Sequence, residues 1–467
     1  MKRLIVCFDG TWNRLDAPES TNVVLTAEGV VPMASGAIAQ VIFYDEGVGT
    51  RRFEKLTGGM FGHGLVDNMS DAYRFLIFNY TVGDEIYIFG FSRGAFTARS
   101  FASLLSTCGI LLRSKASQVT EAIKLYQART DSPEYADRIL QFRKEHSPQV
   151  CVSEDEDAWR CANLPGYSAG SVPRLQIAYL GVWDTVGALG VPSRYRWLQF
   201  FNRKHRFHDT NLSSFVRSAR HAVAIDERRA DFTPTLWSNI DDLNVRSGST
   251  SQRLDAPYQQ KWFPGVHGAV GGGGEHRGLS DQALDWVLTG ARKMGLELDG
   301  EHHSRLYKLR PDPTDYLSNE PPPSLLSVGG LLAVLWKKAD RDGPDKLAEV
   351  SLSARRRWHE KAASLRDKVP YKPKTLAKVE NALDALNPAD LGVGIDEAAL
   401  GPFDLYVVLQ GETLSSIAFR HYENANAWTD IYRANLDKIE DPNLIYVGQE
   451  LRLPKLKERT IPPAGNT

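Results

Sequence analysis

The stretch Gly90-Phe91-Ser92-Arg93-Gly94 decides how the chain around it folds. The residues before it, Asp84 to Phe89, are rich in β-branched and aromatic side chains, which predicts a short buried strand. The residues after it, Ala95 to Leu105, have the pattern of a helix. A serine between two glycines on a strand-to-helix turn is typical of a nucleophile elbow. Gly90 and Gly94 fit this interpretation, because such a tight turn leaves no room for Cβ atoms at either position.

Composition limits the classes of protein that the chain can belong to. Its 467 residues are 42% hydrophobic and 24% charged, as in ordinary globular proteins. The formal net charge of −1 argues against a nucleic-acid partner. The four cysteines have no metal-type spacing, so we expect reduced thiols and neither a metal nor another cofactor; they are Cys7, Cys108, Cys151 and Cys161.

The N-terminus and the hydropathy pattern bear on localisation. Met1 to Asp9 begins with basic residues, but its apolar stretch is too short for a signal peptide. No segment approaches the roughly 20 apolar residues of a membrane span. We therefore expect a protein made in the cytoplasm without a cleaved signal.

Strand-like and helix-like segments alternate along the first 300 residues. Besides the strand before Ser92, the strand-like segments are Leu4–Phe8, Gln40–Tyr44, Arg174–Val182 and Gln260–His267, and the helix-like ones are Asp67–Tyr80, His221–Arg229 and Leu279–Met294. This alternation predicts an α/β fold with a doubly wound, mostly parallel sheet and helical insertions, and the elbow at Ser92 makes it α/β-hydrolase-like.

Two polar residues at strand ends are candidate partners of Ser92. Asp184 follows the strand that ends at Val182, and His267 lies where a strand gives way to a glycine-rich loop, which favours an accessible imidazole. We prefer His267 to His276 because it follows the strand directly, and we expect His221 to be a packed core residue. The order Ser, Asp, His is the chain order of α/β-hydrolases.

These residue types suit nucleophilic catalysis. A serine hydroxyl needs an adjacent imidazole to take its proton, and a carboxylate fixes the imidazole tautomer. The oxyanion then needs two N–H donors: we expect Arg93, which follows the nucleophile, and Gly10 or Thr11, at the end of the first strand. Asp9 is a candidate supporting residue, although Asp9-Gly10 also fits a simple turn.

Four motifs together resemble one family, that of the type VI secretion lipase effectors. They are Phe8–Asn13, Gly90–Arg99, Gly181–Gly187 and Trp262–His267, and the resemblance covers roughly residues 1 to 376. It implies an esterase, in characterised members a phospholipase acting on bacterial membranes, with the triad on Ser92, Asp184 and His267. One departure is Ala269, where the family usually has an aspartate.

The C-terminal part has a pattern of its own. Tyr406 to Pro454 reads as strand, helix, helix, strand and resembles a LysM module. The LysM family implies binding to N-acetylglucosamine-containing glycans such as peptidoglycan. The residues around Trp428 and Tyr446 also resemble LysM modules of phage-tail proteins, so docking to a secretion or tail-like particle stays open.

These observations divide the chain into segments. We expect a hydrolase domain at 1–376 with insertions near 113–173 and 321–345, a linker at 377–402, a βααβ LysM domain at 403–456 and a tail at 457–467. We interpret the first insertion as a cap over the site. The basic and aromatic run Arg194–Arg206 fits either a packed helix or a lipid-headgroup surface.

The leading hypothesis is a serine esterase, a phospholipase that type VI secretion delivers to the periplasm of a target cell as an antibacterial effector. Its partners would be an ester substrate such as phospholipid, an immunity protein, and peptidoglycan or the secretion apparatus through LysM. One alternative is an intracellular carboxylesterase. Another is a catalytically weak scaffold whose LysM module binds peptidoglycan or a phage-tail-like particle.

Overall fold

The computed structural model describes most of the chain. The described residues are 1–10, 18–47, 60–187, 211–251, 253, 256–299, 306, 309, 311–319, 338–391, 403–435, 438–439 and 442–455. Five sequence-based expectations fall wholly or partly outside these ranges: the donor Thr11, the run Arg194–Arg206, the first part of the 321–345 insertion, the part 392–402 of the linker and the tail at 457–467.

A seven-stranded sheet forms the centre of the larger domain. Its strands are β1 (Arg3–Phe8), β2 (Met33–Ala34), β3 (Ile38–Asp45), β4 (Glu85–Phe91), β5 (Ile177–Trp183), β6 (Ala219–Ala224) and β7 (Tyr258–Phe263). They lie in the order β2-β3-β1-β4-β5-β6-β7. Every pairing is parallel except that of β2 with β3. The predicted mostly parallel α/β sheet is confirmed.

Helices cover both faces of this sheet. The α-helices before β5 are α1 (Asn22–Gly29), α2 (Met60–Asn79), α3 (Arg93–Cys108), α4 (Val119–Gln127), α5 (Pro133–His146) and α6 (Glu154–Asn163). Those after β6 are α7 (Ile240–Arg246), the short α8 (His267–Gly271) and α9 (Gly278–Lys293). Successive residues of β1 point to opposite faces. Leu4 and Val6 join the apolar cluster under α2 and α3, whereas Ile5 and Cys7 join the cluster under α1 and α9. The sheet is therefore doubly wound.

One expected helix is wrong. The first four residues of His221–Arg229 belong to strand β6, which pairs in register with β5 and β7, and the remaining residues form no helix. A short, fully buried apolar run has no periodicity that separates a helix from a strand. The neighbouring parallel strands decide the outcome, because they supply the backbone hydrogen bonds that a buried run must have.

The inserted helices α4 to α6 lie at the far end of α3 from Ser92. Arg143 donates to the carbonyl of Thr107 (2.8 Å), and Ser147 donates to that of Ile110 (2.7 Å). Helix α3 has 16 residues and is thus about 24 Å long, with Ser92 at its other end. These contacts contradict the interpretation of 113–173 as a cap over the site.

The segment after the hydrolase strands packs against β6 and β7. It contains α10 (Leu352–His359) and α11 (Glu380–Asp384), and its buried side chains form one cluster with Val223, Ile225 and Trp262. Val379 and Leu383 belong to that cluster, although both lie in the predicted linker 377–402. The packed core therefore extends past residue 376, to at least Leu391, whose carbonyl accepts from buried Arg356.

The C-terminal module has the predicted strand–helix–helix–strand order. Strands β8 (Phe403–Val407) and β9 (Glu450–Pro454) pair antiparallel, and α12 (Leu414–Tyr422) and α13 (Trp428–Ala434) lie between them. Thr413 caps α12 in a reciprocal capping box with Ser416. The module contacts α9, where the ring of Tyr446 lies 4.2 Å from the Arg292 guanidinium carbon.

In the part of the chain that the model describes, no single helix is long and apolar enough to cross a membrane. Arg93–Cys108 and Arg113–Gln127 pass that test only as a pair, with a bend of 115° between them.

Candidate active site

Ser92 lies in a strained turn between β4 and α3. Its φ of 59° and ψ of −120° are unusual for a residue with a side chain, and its backbone N–H donates to the carbonyl of Trp183 on β5 (3.0 Å). A Cβ on Gly90 would lie 2.5 Å from the carbonyl oxygen of Gly94, and one on Gly94 would lie 2.2 Å from that of Phe8. The steric reason for both elbow glycines is thus present in the structure.

The carboxyl ends of three parallel strands bring the three candidate residues together. Ser92 follows β4, Asp184 follows β5, and His267 begins α8 four residues after β7. Asp184 has a φ of 36°, so two of the three residues have a left-handed backbone. The placement is that of ligand sites in open α/β sheets.

A continuous hydrogen-bond chain joins these side chains. The Nε2 atom of His267 lies 2.8 Å from the Ser92 hydroxyl, and its Nδ1 atom lies 2.5 Å from Oδ2 of Asp184. A carboxylate can only accept, so the network assigns the proton to Nδ1 and leaves Nε2 to accept from the serine. This arrangement allows the imidazole to take the serine proton during nucleophilic attack.

His267 is enclosed rather than accessible. Its exposed fraction is 7%, and its ring packs against Phe91 (centroids 4.7 Å apart) and Phe232 (5.0 Å). Burial lowers the pKa of His267, and the hydrogen bond to Asp184 only partly opposes that effect. The expectation of an accessible imidazole is therefore wrong, and the buried ring is neutral near pH 7, as a general base must be.

Asp184 is fully buried and has a cationic partner that the sequence analysis missed. The two terminal nitrogens of Arg341 donate to the two carboxylate oxygens at 2.6 and 3.0 Å, and the N–H of Ala224 donates to Oδ1 (2.9 Å). Burial would raise the pKa of Asp184, but the Arg341 charge and the His267 hydrogen bond outweigh it and hold the pKa well below its usual range. Asp184 is therefore ionised near neutral pH.

The predicted oxyanion donors differ in their surroundings. Arg93 is the first residue of α3, so its backbone N–H lies at the positive end of the helix. The Gly10 N–H donates to the carboxylate of Asp9 (2.6 Å), which also accepts from Thr21 (2.6 Å) and Tyr44 (2.8 Å). Asp9 thus supports the loop. That the Gly10 N–H donates to the oxyanion stays a prediction, and it requires the hydrogen bond from Gly10 to Asp9 to break.

The two other histidines weighed in the sequence analysis, His221 and His276, lie outside this hydrogen-bond chain. His221 is fully buried, accepts from the N–H of Thr185 (3.1 Å) and lies 2.9 Å from the Gln260 amide oxygen. Burial lowers the pKa of His221 to about 3, so the ring is neutral, as expected for a packed core residue. His276 stacks on Tyr316. Among the described ranges, no group of three or more His, Cys, Asp or Glu side chains could hold a metal.

Asp226 lies two residues after β6 and is a second buried carboxylate, beside the loop that leads from β7 to His267. It accepts from the N–H of Gly265 (2.7 Å) and from the hydroxyl of Tyr371 (2.9 Å). Burial raises the pKa of Asp226 to about 6, although both hydrogen bonds oppose the shift. The folded protein therefore binds this proton more tightly than the unfolded chain, whose pKa is near 3.9.

We expect Asp226→Asn to stabilise the protein above pH 6 by about 2–3 kcal/mol and to leave its stability unchanged below pH 4. The wild-type carboxyl loses stability as the pH rises from about 4 to 6, whereas an amide oxygen accepts the same two hydrogen bonds without a charge. Urea unfolding of both proteins at pH 4 and pH 8 measures the difference. A stability difference between the two proteins that is equal at pH 4 and pH 8 would contradict the raised pKa of Asp226.

Similarity to known proteins was found at the level of families and of single chains. A family model described as "T6SS, Phospholipase effector Tle1-like, catalytic domain" matches residues 2–290, and a LysM model matches residues 406–454. The uncharacterized protein YEL023C of Saccharomyces cerevisiae is 26% identical over 252 residues, which is 50% of this chain and 32% of that protein. The potassium binding protein Kbp of Escherichia coli is 44% identical over 50 residues, or 11% and 34% of the two chains. The chain thus spans about a third of the length of each curated relative.

Two solved structures are also similar. The Tle1 effector bound to the VgrG spike has 17% identity and a TM-score of 0.31, with 58% of this chain and 51% of that one covered. An uncharacterized protein from Pseudomonas aeruginosa has 17% identity and a TM-score of 0.34, with 92% and 59% covered. Scores this low add nothing about function beyond the family models.

Proposed function

Because the chain belongs to the family of type VI secretion phospholipase effectors with a Tle1-like catalytic domain, we propose that it is a serine esterase that cleaves acyl ester bonds of membrane phospholipids. Ser92 is the nucleophile, His267 the general base and Asp184 the residue that orients the imidazole. One observation carries the proposal: the unbroken hydrogen-bond chain from the Ser92 hydroxyl through both ring nitrogens to Asp184.

The reaction proceeds in two halves. Ser92 attacks the ester carbonyl carbon while His267 takes the hydroxyl proton, and the Arg93 N–H stabilises the resulting oxyanion. The ester bond then breaks, His267 gives the proton to the departing lysophospholipid oxygen, and an acyl-serine remains. Water attacks this acyl-serine with His267 again as base, so the fatty acid leaves and the serine is restored. The ionised Asp184 stabilises the imidazolium in both halves.

The products formed on phospholipid vesicles test this proposal. We expect vesicles of phosphatidylethanolamine and phosphatidylglycerol to yield free fatty acid and lysophospholipid, and a fluorophosphonate that labels Ser92 to stop the reaction. Phosphatidic acid or diacylglycerol would instead indicate cleavage on the headgroup side. Either of those products, or hydrolysis that survives complete labelling, contradicts the proposal. Activity on short soluble esters alone would favour the carboxylesterase alternative.

The LysM module has the role of a binding unit in this proposal. Leu405 and Val407 on β8 and Phe419 on α12 are more than half exposed, which leaves apolar surface for a partner. We assign to the module a peptidoglycan-type glycan as ligand, with the secretion particle as the alternative. Cosedimentation of the full chain with purified peptidoglycan tests the first, and its absence would favour the second.

Delivery to a competing cell follows from the family assignment. We propose that the protein acts as an antibacterial effector in the periplasm of the target and that the producing cell holds an immunity protein against it. Directing the chain to the periplasm should arrest growth, whereas cytoplasmic expression should not. Equal growth in the two cases would contradict the toxin role.

A further inference from the structure

We propose that Arg341 is a positioning residue of the active site: its guanidinium holds the carboxylate of Asp184 in the orientation that His267 requires. This inference rests on the proposed function. Arg341 lies 157 residues after Asp184 and beyond residues 2–290, which match the catalytic-domain model. A segment outside that domain would therefore complete the site.

Arg341 is built into the structure as a clamp. Besides its two bonds to Asp184, one terminal nitrogen donates to the carbonyl of Ala224 (2.7 Å) and the other to that of Phe232 (2.6 Å). Only 9% of the residue is exposed. Paired planar hydrogen bonds between a guanidinium and a carboxylate fix both distance and rotation, which a single point charge does not do.

The segment that carries Arg341 is itself fixed to the end of the sheet. The N–H of Ala339 donates to the carbonyl of Arg228 (2.8 Å), Lys338 forms a β-bridge with Arg229, and Asp340 forms an ion pair with Arg228 (2.8 Å). These contacts place the guanidinium against Asp184 without relying on the long side chain alone. The arrangement is therefore preorganised.

The geometry at Asp184 gives the clamp its effect. Oδ2 is shared between His267 and Arg341, and Oδ1 is shared between Arg341 and the N–H of Ala224. Without Arg341, one backbone N–H and the imidazole would hold a fully buried carboxylate, which could then rotate. A misplaced carboxylate misdirects Nε2 of His267 away from the Ser92 hydroxyl.

The charges around His267 predict how the loss of Arg341 would change the pH dependence of activity. Glu227 accepts from the His267 backbone N–H (3.3 Å), but its charge is paired with Arg229 (2.7 Å). His221, beside Asp184, is neutral. Arg341 is thus the cation in direct contact with the aspartate. Its loss would strengthen the pull of Asp184 on an imidazolium and would also make Asp184 easier to protonate, and both changes move the acid limb of activity to higher pH.

The test compares Arg341→Gln and Arg341→Lys with a matched control. Arg160 on α6 is also buried and contacts Glu156 (2.7 Å) and the carbonyls of Pro148 (2.9 Å) and Val150 (2.8 Å), but it lies in the insertion remote from Ser92. Arg160→Gln therefore reproduces the loss of a buried arginine without touching the site.

We expect Arg341→Gln to lower kcat by about tenfold to a hundredfold and to move the acid limb of kcat/KM up by about one pH unit. Arg341→Lys should restore the position of the acid limb but only part of kcat, because a lysine restores the charge and not the paired hydrogen bonds of the guanidinium. Arg160→Gln should leave the limb in place even if it lowers the melting temperature. An unmoved limb in folded Arg341→Gln would overturn the proposal.

A second readout separates this inference from the proposed function. In the Ser92→Ala background, the His267 ring pKa is measured by nitrogen NMR with and without Arg341→Gln. We expect the substitution to raise it, whether or not Ser92 hydrolyses lipids. A raised pKa without hydrolysis by the wild type would reject the esterase and keep the clamp, whereas hydrolysis with an unchanged pKa would reject the clamp alone.

Discussion

Ser92→Ala is expected to lower kcat/KM for ester hydrolysis by at least about a thousandfold. The substitution removes the attacking oxygen and leaves His267 without a proton to accept. The side chain contributes little else, because its hydroxyl is hydrogen-bonded to His267 and a methyl group occupies the same turn. We therefore expect a folded protein with an unchanged melting temperature to within a few degrees. Fatty-acid release from vesicles measures the loss.

Ser106→Ala is the matched control for this result. Ser106 lies on the same helix as the elbow, and its hydroxyl donates to the carbonyl of Ser103 (2.9 Å), near the end of α3 remote from the site. It should retain wild-type activity. If Ser92→Ala also kept more than about a tenth of wild-type activity, another residue would have to be the nucleophile, and the proposed mechanism would be wrong.

Gly94→Ala is expected to destabilise the protein strongly. The new Cβ would lie 2.2 Å from the carbonyl oxygen of Phe8 and 2.4 Å from that of Asp9. Both are backbone atoms at the end of β1, so neither can swing aside as a flexible side chain would. The start of α3 would have to move off the sheet, and we expect the free energy of unfolding to fall by about 4 kcal/mol or more.

Gly83→Ala separates this clash from the general effect of replacing a glycine. Gly83 has a φ of 94°, and no atom lies within 4 Å of the position its Cβ would take. Strain alone should lower the free energy of unfolding by about 1–2 kcal/mol there. Urea unfolding of the two variants compares them directly. If Gly94→Ala were no less stable than Gly83→Ala, β1 and α3 would not be packed as closely as the structure has them.

Local signals explain why the elbow and the strands on either side were predictable. The strand before Ser92 is apolar and β-branched, the helix after it is regular, and the glycines between them have a steric role that can be deduced without coordinates. The position of Asp184 beside the elbow was predictable for a similar reason, since it follows a run of apolar residues at the carboxyl end of a strand.

Contacts between distant segments explain what the sequence analysis missed. Arg341 stands in the charged run Lys337–Asp342, where nothing distinguishes it from a solvated arginine. Its role appears only when residues 338–341 pair with 228–229. Likewise, the burial of His267 depends on Phe91 and Phe232, which come from two other parts of the chain. Sequence periodicity cannot reveal such contacts.

The expected domain boundary failed for a related reason. Residues 377–391 have no long apolar run, which favoured a linker, but Val379 and Leu383 anchor them in the cluster around Trp262. A few buried side chains determine whether a short helical segment packs, and their number is too small to dominate the composition of the segment.

The positive φ angles at Ser92 and Asp184 imply a conflict between the stability of the fold and the proposed reaction. Both residues have positive φ angles, 59° and 36°, which glycine tolerates at less cost than any side-chain-bearing residue. Selection for stability alone would favour glycine at position 92 and would remove the proposed nucleophile, whereas at position 184 the buried ion pair with Arg341 offsets the backbone strain. A chain that keeps serine at position 92 keeps a strained turn, and the proposed reaction is the benefit that would maintain it.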